Sequence, residues 1–298
     1  VREGDVIVLN RTKVMKARLF GTVMKTGKQV EVLLLSREGK NVWECLIGRA
    51  KYVSPGDVLK IGDQRVKVLS RKDDGRIFRV RAERARELMK KFGHVPLPPY
   101  IKRSDTEQDA LRYNTVFGHS EHSVAAPTAA LNMTEKIMSE IEKSGGTIVY
   151  IDLEVGLGTF LPVNTDRVEE FRIHSERISI PESTVEAVNS CQSRVWAIGT
   201  TVVRALESAS VSAGTIKEFE AETDLYIYPG YDFNIVDVLV TNFHLPRSSL
   251  IMLVSAFADR ELTLKAYEEA KDEGYAFYSY GDSMLIGDFT QTDGKNGA

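Results

Sequence analysis

The stretch Glu154-Val155-Gly156-Leu157-Gly158-Thr159 follows a β-type run, Thr147 to Val155, and forms an acidic-x-Gly-x-Gly turn. Gly156, Gly158 and Thr159 stand where the loop of a Rossmann-type methyltransferase would hold S-adenosylmethionine. Phe160 in place of a third glycine and Pro162 in place of a helix start count against that fingerprint. A glycine turn at a strand end, structural or lining a different pocket, fits better. Gly199-Thr200-Thr201 lies between a strand pattern, Arg194 to Gly199, and a helix pattern carrying Arg204 and Glu207. The free N–H groups and positive dipole end of such a helix favour a carboxylate or phosphate. A threonine acting only as N-cap fits the same residues equally well. None of the five histidines has HExxH or CxxC company, so no metal is expected. His174, two residues before Glu176, and His244, in Thr241-Asn242-Phe243-His244-Leu245-Pro246, are the candidates for acid-base or hydrogen-bonding work, although a solitary histidine often serves structure alone. Tyr280 and Asp282, in Tyr278-Ser279-Tyr280-Gly281-Asp282, suit stacking on a base and contact with a cation, or closure of a sheet edge.

Positioning these groups falls to strands that alternate with helices. Helical spacing covers Thr128 to Lys143, Pro181 to Cys191, Thr200 to Ala209, Ser248 to Ala258 and Leu262 to Asp272. Strands are expected at Val6 to Leu9, Thr147 to Val155, Arg194 to Gly199, Leu225 to Tyr228 and Val236 to Val240. Alternation of this kind means an α/β body with a mixed sheet. Between Ala17 and Arg81 the pattern differs: six short β-type runs are separated by turn residues such as Ser54-Pro55-Gly56-Asp57 and Ile61-Gly62-Asp63. That spacing predicts a small β-barrel inserted in the body, followed by a mixed-charge helix, Glu83 to Phe92. The Pro-rich connector Pro96-Leu97-Pro98-Pro99 ends the insertion. The expected division is 1–16 with 96–298 for the α/β domain and 17–95 for the barrel.

A chain of 298 residues, 43% hydrophobic and 27% charged, is long enough for about two domains. Its proportions exclude collagen-like, disordered and disulfide-stapled classes. Two cysteines, Cys45 and Cys191, far apart and with no apolar leader ahead of them, point to a reducing, cytoplasmic location. No stretch approaches the roughly 18 apolar residues of a membrane helix. The formal net charge is −3, but it is unevenly spread: Val1 to Val95 carries 23 Lys+Arg against 11 Asp+Glu, and the remainder 16 against 31. A basic module on an acidic body suits a polyanion such as tRNA gripped through its phosphates; a solvated basic surface is the plainer alternative.

Eleven segments in order along the chain carry a more specific signal. They include Gly4-Asp5-Val6-Ile7-Val8-Leu9-Asn10, Arg112-Tyr113, Ser123-Val124-Ala125-Ala126-Pro127-Thr128-Ala129, Val155 to Val163, His174-Ser175-Glu176, Gly199-Thr200-Thr201, Tyr228-Pro229-Gly230-Tyr231, Thr241 to Pro246 and Ser279-Tyr280-Gly281-Asp282. Together they resemble the S-adenosylmethionine:tRNA ribosyltransferase-isomerase family of queuosine biosynthesis, over nearly the whole chain. Asn132, Glu154 and Phe171 stand where the family pattern usually has histidine, and the family's usual segment ahead of Gly4 is not in this sequence.

The resemblance implies that S-adenosylmethionine is a consumed ribosyl donor. Its sugar would pass to a 7-aminomethyl-7-deazaguanine at the tRNA wobble position, giving epoxyqueuosine and releasing adenine and methionine. Within that chemistry His174 is the candidate for proton transfer, with Glu176 holding or sharing the proton. His244 and Asn242 would bind the sugar or the adenine edge, and Asp282 would balance the sulfonium or accept from the amine. Arg204, Thr200 and Thr201 would hold the methionine carboxylate. Arg112 and Tyr113 would meet the nucleobase, and Pro127, Thr128, Gly156, Gly158, Thr159 and Tyr280 complete the binding set. The expected partners are tRNA and S-adenosylmethionine, with no membrane, and the protein is expected to be a monomer. An RNA-binding member lacking this activity, a methyltransferase and a ribosyl transfer to another acceptor remain as alternatives.

Overall fold

Four apolar residues ahead of Asn10 form strand β1 (Val6–Asn10), buried along its whole length. A strand of that composition needs cover on both faces. In the computed structural model, which describes residues 1–72, 75–156 and 163–289, the chain continues through β2 (Thr12–Val14) into six strands. These are β3 (Arg18–Val23), β4 (Gln29–Gly39), β5 (Val42–Ile47), β6 (Val58–Ile61), β7 (Gln64–Arg71) and β8 (Ile77–Arg81), closed antiparallel in the order β3-β4-β5-β8-β7-β6. Alternation sets the inside: Val30, Val32 and Leu34 of β4 and Trp43, Cys45 and Ile47 of β5 are buried, while the residues between them are not. Closure leaves no free edge. The barrel expected from turn spacing is present, with β4 extended to Gly39. Helix α1 (Ala85–Phe92) follows and buries Ala85, Leu88 and Met89. Helix α2 (Glu107–Arg112), which periodicity did not reveal, starts at a capping box between Thr106 and Asp109.

After β9 (Ser120–Ser123), the chain forms a 3₁₀ turn (Thr128–Asn132), α3 (Glu135–Lys143), β10 (Thr147–Leu153), β11 (Glu176–Ile180), α4 (Glu182–Asn189), β12 (Val195–Ile198) and α5 (Thr200–Ala209). The hairpin β13 (Ser210–Ser212) and β14 (Thr215–Ile216), then β15 (Phe219–Thr223), β16 (Val238–Asn242), α6 (Ser249–Ala258), α7 (Arg260–Asp272) and β17 (Ser283–Gly287) complete it. Seven strands make one mixed sheet, β15-β11-β10-β1-β12-β16-β17. One face packs Ile7, Leu9, Trp196, Ile198 and Val238 against Ala130, Met133 and Ile141. On α5, residues 200–207 and Ala209 are all buried, and the helix packs on β1, β10 and β12.

Two compact units result. One comprises residues 1–12, 115–120 and those from 126 onward; the other comprises residues 13–114 and 121–125. Two expectations are corrected here. The single helix over 128–143 is broken into the 3₁₀ turn and α3, because the Thr134 side chain caps a new helix by accepting the Ile137 N–H (3.2 Å). Leu225 to Tyr228 is not a strand; the pairing segment is β15 just before it, whose Glu220 and Glu222 are exposed on the sheet edge.

Candidate active site

Strands β1, β10, β12 and β16 run parallel, so Asn10, Leu153, Ile198 and Asn242 end on the same edge of the sheet. Strands β11 and β17 run the opposite way, which brings their first residues, Glu176 and Ser283, to that edge too. The carboxyl-end edge, where the chain crosses from β10 over β1 to β12, is where open α/β sheets bind ligands. Among the described residues, the candidates for chemistry other than Arg112 and Tyr113 gather there from segments far apart in sequence.

At its centre is a buried ion pair. Glu176 and Arg204 are 4% and 6% exposed and meet through Oε2 and Nη1. Glu176 Oε1 also accepts the N–H of Gly156 (2.9 Å), which ties the turn after β10 to the start of β11. Arg204 Nε donates to the Leu225 carbonyl (3.0 Å). Nη2 of Arg204 is buried and has no acceptor among the described residues, and neither has the hydroxyl of Thr201, one turn earlier on α5. Buried donors are nearly always satisfied, so an orphan of this kind calls for an explanation. Helix α5 begins at Gly199, whose φ of +104° a side chain would strain. No side chain caps its first turn, and Thr200 and Thr201 are buried at its positive end.

A second cluster links three segments. Thr128 Oγ1 donates to Asn242 Oδ1 (2.7 Å), and Asn242 Nδ2 donates to the Asp282 carbonyl (3.3 Å). The Asp282 carboxylate accepts the Ala276 N–H (2.8 Å) while the residue stays exposed. Asn132 Nδ2 donates to Ser283 Oγ (3.1 Å), fastening the 3₁₀ turn to the start of β17. Pro127 is buried beside Thr128, and Tyr280 is exposed.

His244 lies just past β16. Its Nε2 is 2.9 Å from Thr241 Oγ1, and its backbone N–H donates to the Tyr267 hydroxyl (3.0 Å). Burial among these neighbours pushes its pKa down to about 4, although part of its surface remains accessible. Burial likewise raises Tyr267 to about 12. His244 is therefore a neutral hydrogen-bonding group at neutral pH. Its native pKa lies below the ordinary value of 6.5, so the stability it contributes is complete above that value and is lost as pH falls toward 4. A nuclear magnetic resonance titration is expected to show no midpoint for the His244 ring between pH 5.5 and 8; a midpoint near 6.5 would refute the assignment.

His174 is exposed, on the approach to β11, and its ring has no partner among the described residues. Gly158 and Thr159 lie outside the described residues. Arg112, exposed, and Tyr113, fully buried, belong to the barrel-bearing unit. In this conformation no Tyr113 ring face is open to a base. Sequence reading missed the aromatic group of Phe171, Tyr226 and Tyr228, with ring centroids 5.3 Å and 5.2 Å apart, next to the Leu225 carbonyl that Arg204 holds. The β-propensity of the Leu225 to Tyr228 run disguised it. Among the described residues no group of three His, Cys, Asp or Glu is placed to hold a metal ion, and no helix is long and apolar enough to cross a membrane.

A profile of the family described as "Queuosine biosynthesis protein" matches residues 1–286. An S-adenosylmethionine:tRNA ribosyltransferase-isomerase of Sulfurihydrogenibium sp. (strain YO3AOP1) is 46% identical over 290 residues, covering 96% of this chain and 85% of the relative. The protein of that name from Aquifex aeolicus (strain VF5) is 46% identical over 292 residues, with the same coverage. A solved structure of an S-adenosylmethionine tRNA ribosyltransferase from Thermotoga maritima is 32% identical, covers 96% of this chain and 83% of that one, and superposes with a TM-score of 0.49.

Proposed function

From the premise that this chain belongs to the queuosine biosynthesis protein family, we propose that its sheet-edge site performs the S-adenosylmethionine:tRNA ribosyltransferase-isomerase reaction. The ribosyl portion of S-adenosylmethionine passes to the aminomethyl group of a 7-deazaguanine at the tRNA wobble position. Rearrangement yields epoxyqueuosine, and adenine and methionine leave.

The observation that carries this reading is the orphaned Arg204 Nη2, with the uncapped start of α5 beside it. Both suit the carboxylate of the methionine half, which would satisfy the guanidinium and meet the positive helix end. In this arrangement Glu176 keeps Arg204 fixed and oriented, a positioning task, rather than exchanging protons with His174. The sulfonium acidifies the neighbouring C5′ protons, and exposed His174 is the group assigned to take one. Asn242, held by Thr128 and by Asp282, and neutral His244 are assigned to the sugar and the adenine edge. The Asp282 carboxylate is assigned to the sulfonium or the incoming amine. Departing adenine and developing charge need a closed site with donors already in place. The same reading gives the enzyme a cytoplasmic setting, consistent with the unbridged Cys45 and Cys191, and a single chain as the working unit.

The test is incubation of the protein with S-adenosylmethionine and precursor tRNA. Adenine and methionine are expected to appear together with modified tRNA. Release of S-adenosylhomocysteine would identify a methyltransferase instead, and tRNA binding with no adenine would leave an RNA-binding protein.

A further inference from the structure

The barrel-bearing unit contains a cavity of about 600 Å³ that shares no residue with the sheet-edge constellation. Its lining has two characters. Val14, Met15, Met89 and Val95 supply apolar surface and are each less than 8% exposed. Lys13, Lys16, Arg86 and Lys90 supply cations. Lys13 has its charge met by Glu121, 3.7 Å away. Lys16, Arg86 and Lys90 are exposed and have no carboxylate partner among the described residues, unlike Arg18, Arg79 and Lys91, which pair with Glu31, Glu38 and Asp63. Arg86 and Lys90 lie four residues apart on α1 and so share a face of that helix. The lining also holds Asn114, whose carbonyl oxygen accepts the Val14 N–H (2.8 Å) and whose amide donates to the Ala110 carbonyl (3.1 Å). The first of these bonds ties the wall at Val14 to the wall at Asn114.

We propose that this cavity binds one nucleotide of the tRNA substrate, with Lys16, Arg86 and Lys90 on its phosphates and the Met15–Met89–Val95 wall against its base. The proposal rests on the reading that tRNA is a substrate and adds the place where the barrel-bearing unit takes hold of it. Three unpaired cations around one hollow bring counterion release, and an apolar wall gives an unstacked base a surface that a bare anion cannot use. Thioether side chains adapt to whatever base is presented, so the site grips RNA with little sequence preference. A volume of this size is ordinary for a small-ligand pocket.

The experiment compares tRNA binding by the wild type with Arg86→Ala/Lys90→Ala and with a control of equal charge change elsewhere on the barrel, Lys60→Ala/Lys67→Ala, over a series of salt concentrations. All four substituted side chains are exposed, and thermal melts verify that each variant is folded. The cavity variant is expected to bind tRNA at least tenfold more weakly, with the slope of log affinity against log salt reduced by about 1.4 to 1.8, the value for two lost phosphate contacts. The control is expected to change affinity less than threefold. Equal losses in the two variants would overturn the proposal and leave a diffuse basic surface. Competition supplies a second reading: uridine 5′-monophosphate is expected to displace labelled tRNA from wild type at about tenfold lower concentration than inorganic phosphate does. Equal potency would overturn the nucleotide assignment. Wild type that releases adenine yet shows no cavity effect would sink this inference alone, whereas wild type that binds no tRNA would sink both it and the functional reading.

Discussion

Replacing Arg204 by Met is expected to destabilise the protein by about 3–5 kcal/mol, because it leaves the buried Glu176 carboxylate without its counter-ion. Both side chains are buried, and both bond to other segments: Glu176 to Gly156, Arg204 to Leu225. The loss would therefore loosen the turn after β10 and the chain after β15 together. Thermal or urea unfolding reads the effect directly. Glu176→Gln combined with Arg204→Met removes both charges and is expected to recover much of the loss, since exchanging a buried pair for neutral groups of similar volume is often close to neutral. Binding of S-adenosylmethionine separates the structural role from the proposed one. The double variant should be folded yet bind at least tenfold more weakly, through loss of the Nη2 donor. An unchanged melting curve for the single variant would contradict the burial of the pair, and full binding by the double variant would remove Arg204 from the substrate site.

His174→Ala is expected to lower the rate of adenine release by about 10² or more, the usual contribution of a positioned proton-transfer group, while leaving the fold intact because the side chain is exposed. Stopped-flow or quench measurement of adenine at saturating S-adenosylmethionine and tRNA isolates this step. The diagnostic control is the pH profile: a variant that has lost its base should lose the limb of the profile that the base governs. A rate within twofold of wild type would exclude His174, and the proton would then have to go to another group on the sheet edge.

The six barrel strands were readable from sequence because turn residues punctuate them and apolar residues alternate along them, both local signals. The interior strands β1, β10, β12 and β16 were readable for their apolar runs. Strands β11, β15 and β17 were not, for a shared reason. They lie toward the outer parts of the sheet and are short: polar residues such as Glu176, Arg177, Glu220 and Glu222 leave β11 and β15 few apolar positions, and β17 offers only Met284, Leu285 and Ile286. Of the site, the glycine turn, Gly199-Thr200-Thr201 and the Asn242–His244 loop were visible as element boundaries. The pairing of Arg204 with Glu176 was not, since it exists only because β11 returns beside β10 while α5 packs across that face. The low pKa of His244 was equally out of reach, because it comes from enclosure by Thr241, Tyr267 and their neighbours rather than from adjacent residues.

The pairing of β1 also bears on how the chain is made. This strand is central in the sheet, yet its two neighbours are β10, beginning at Thr147, and β12, beginning at Val195, with the whole barrel encoded in between. During synthesis the barrel strands meet partners close at hand and are complete well before the ribosome reaches either neighbour of β1. That short apolar strand must wait, with its hydrogen-bonding edges exposed, until the chain has reached Thr147, and closing the gap afterwards carries the entropic cost of a long loop.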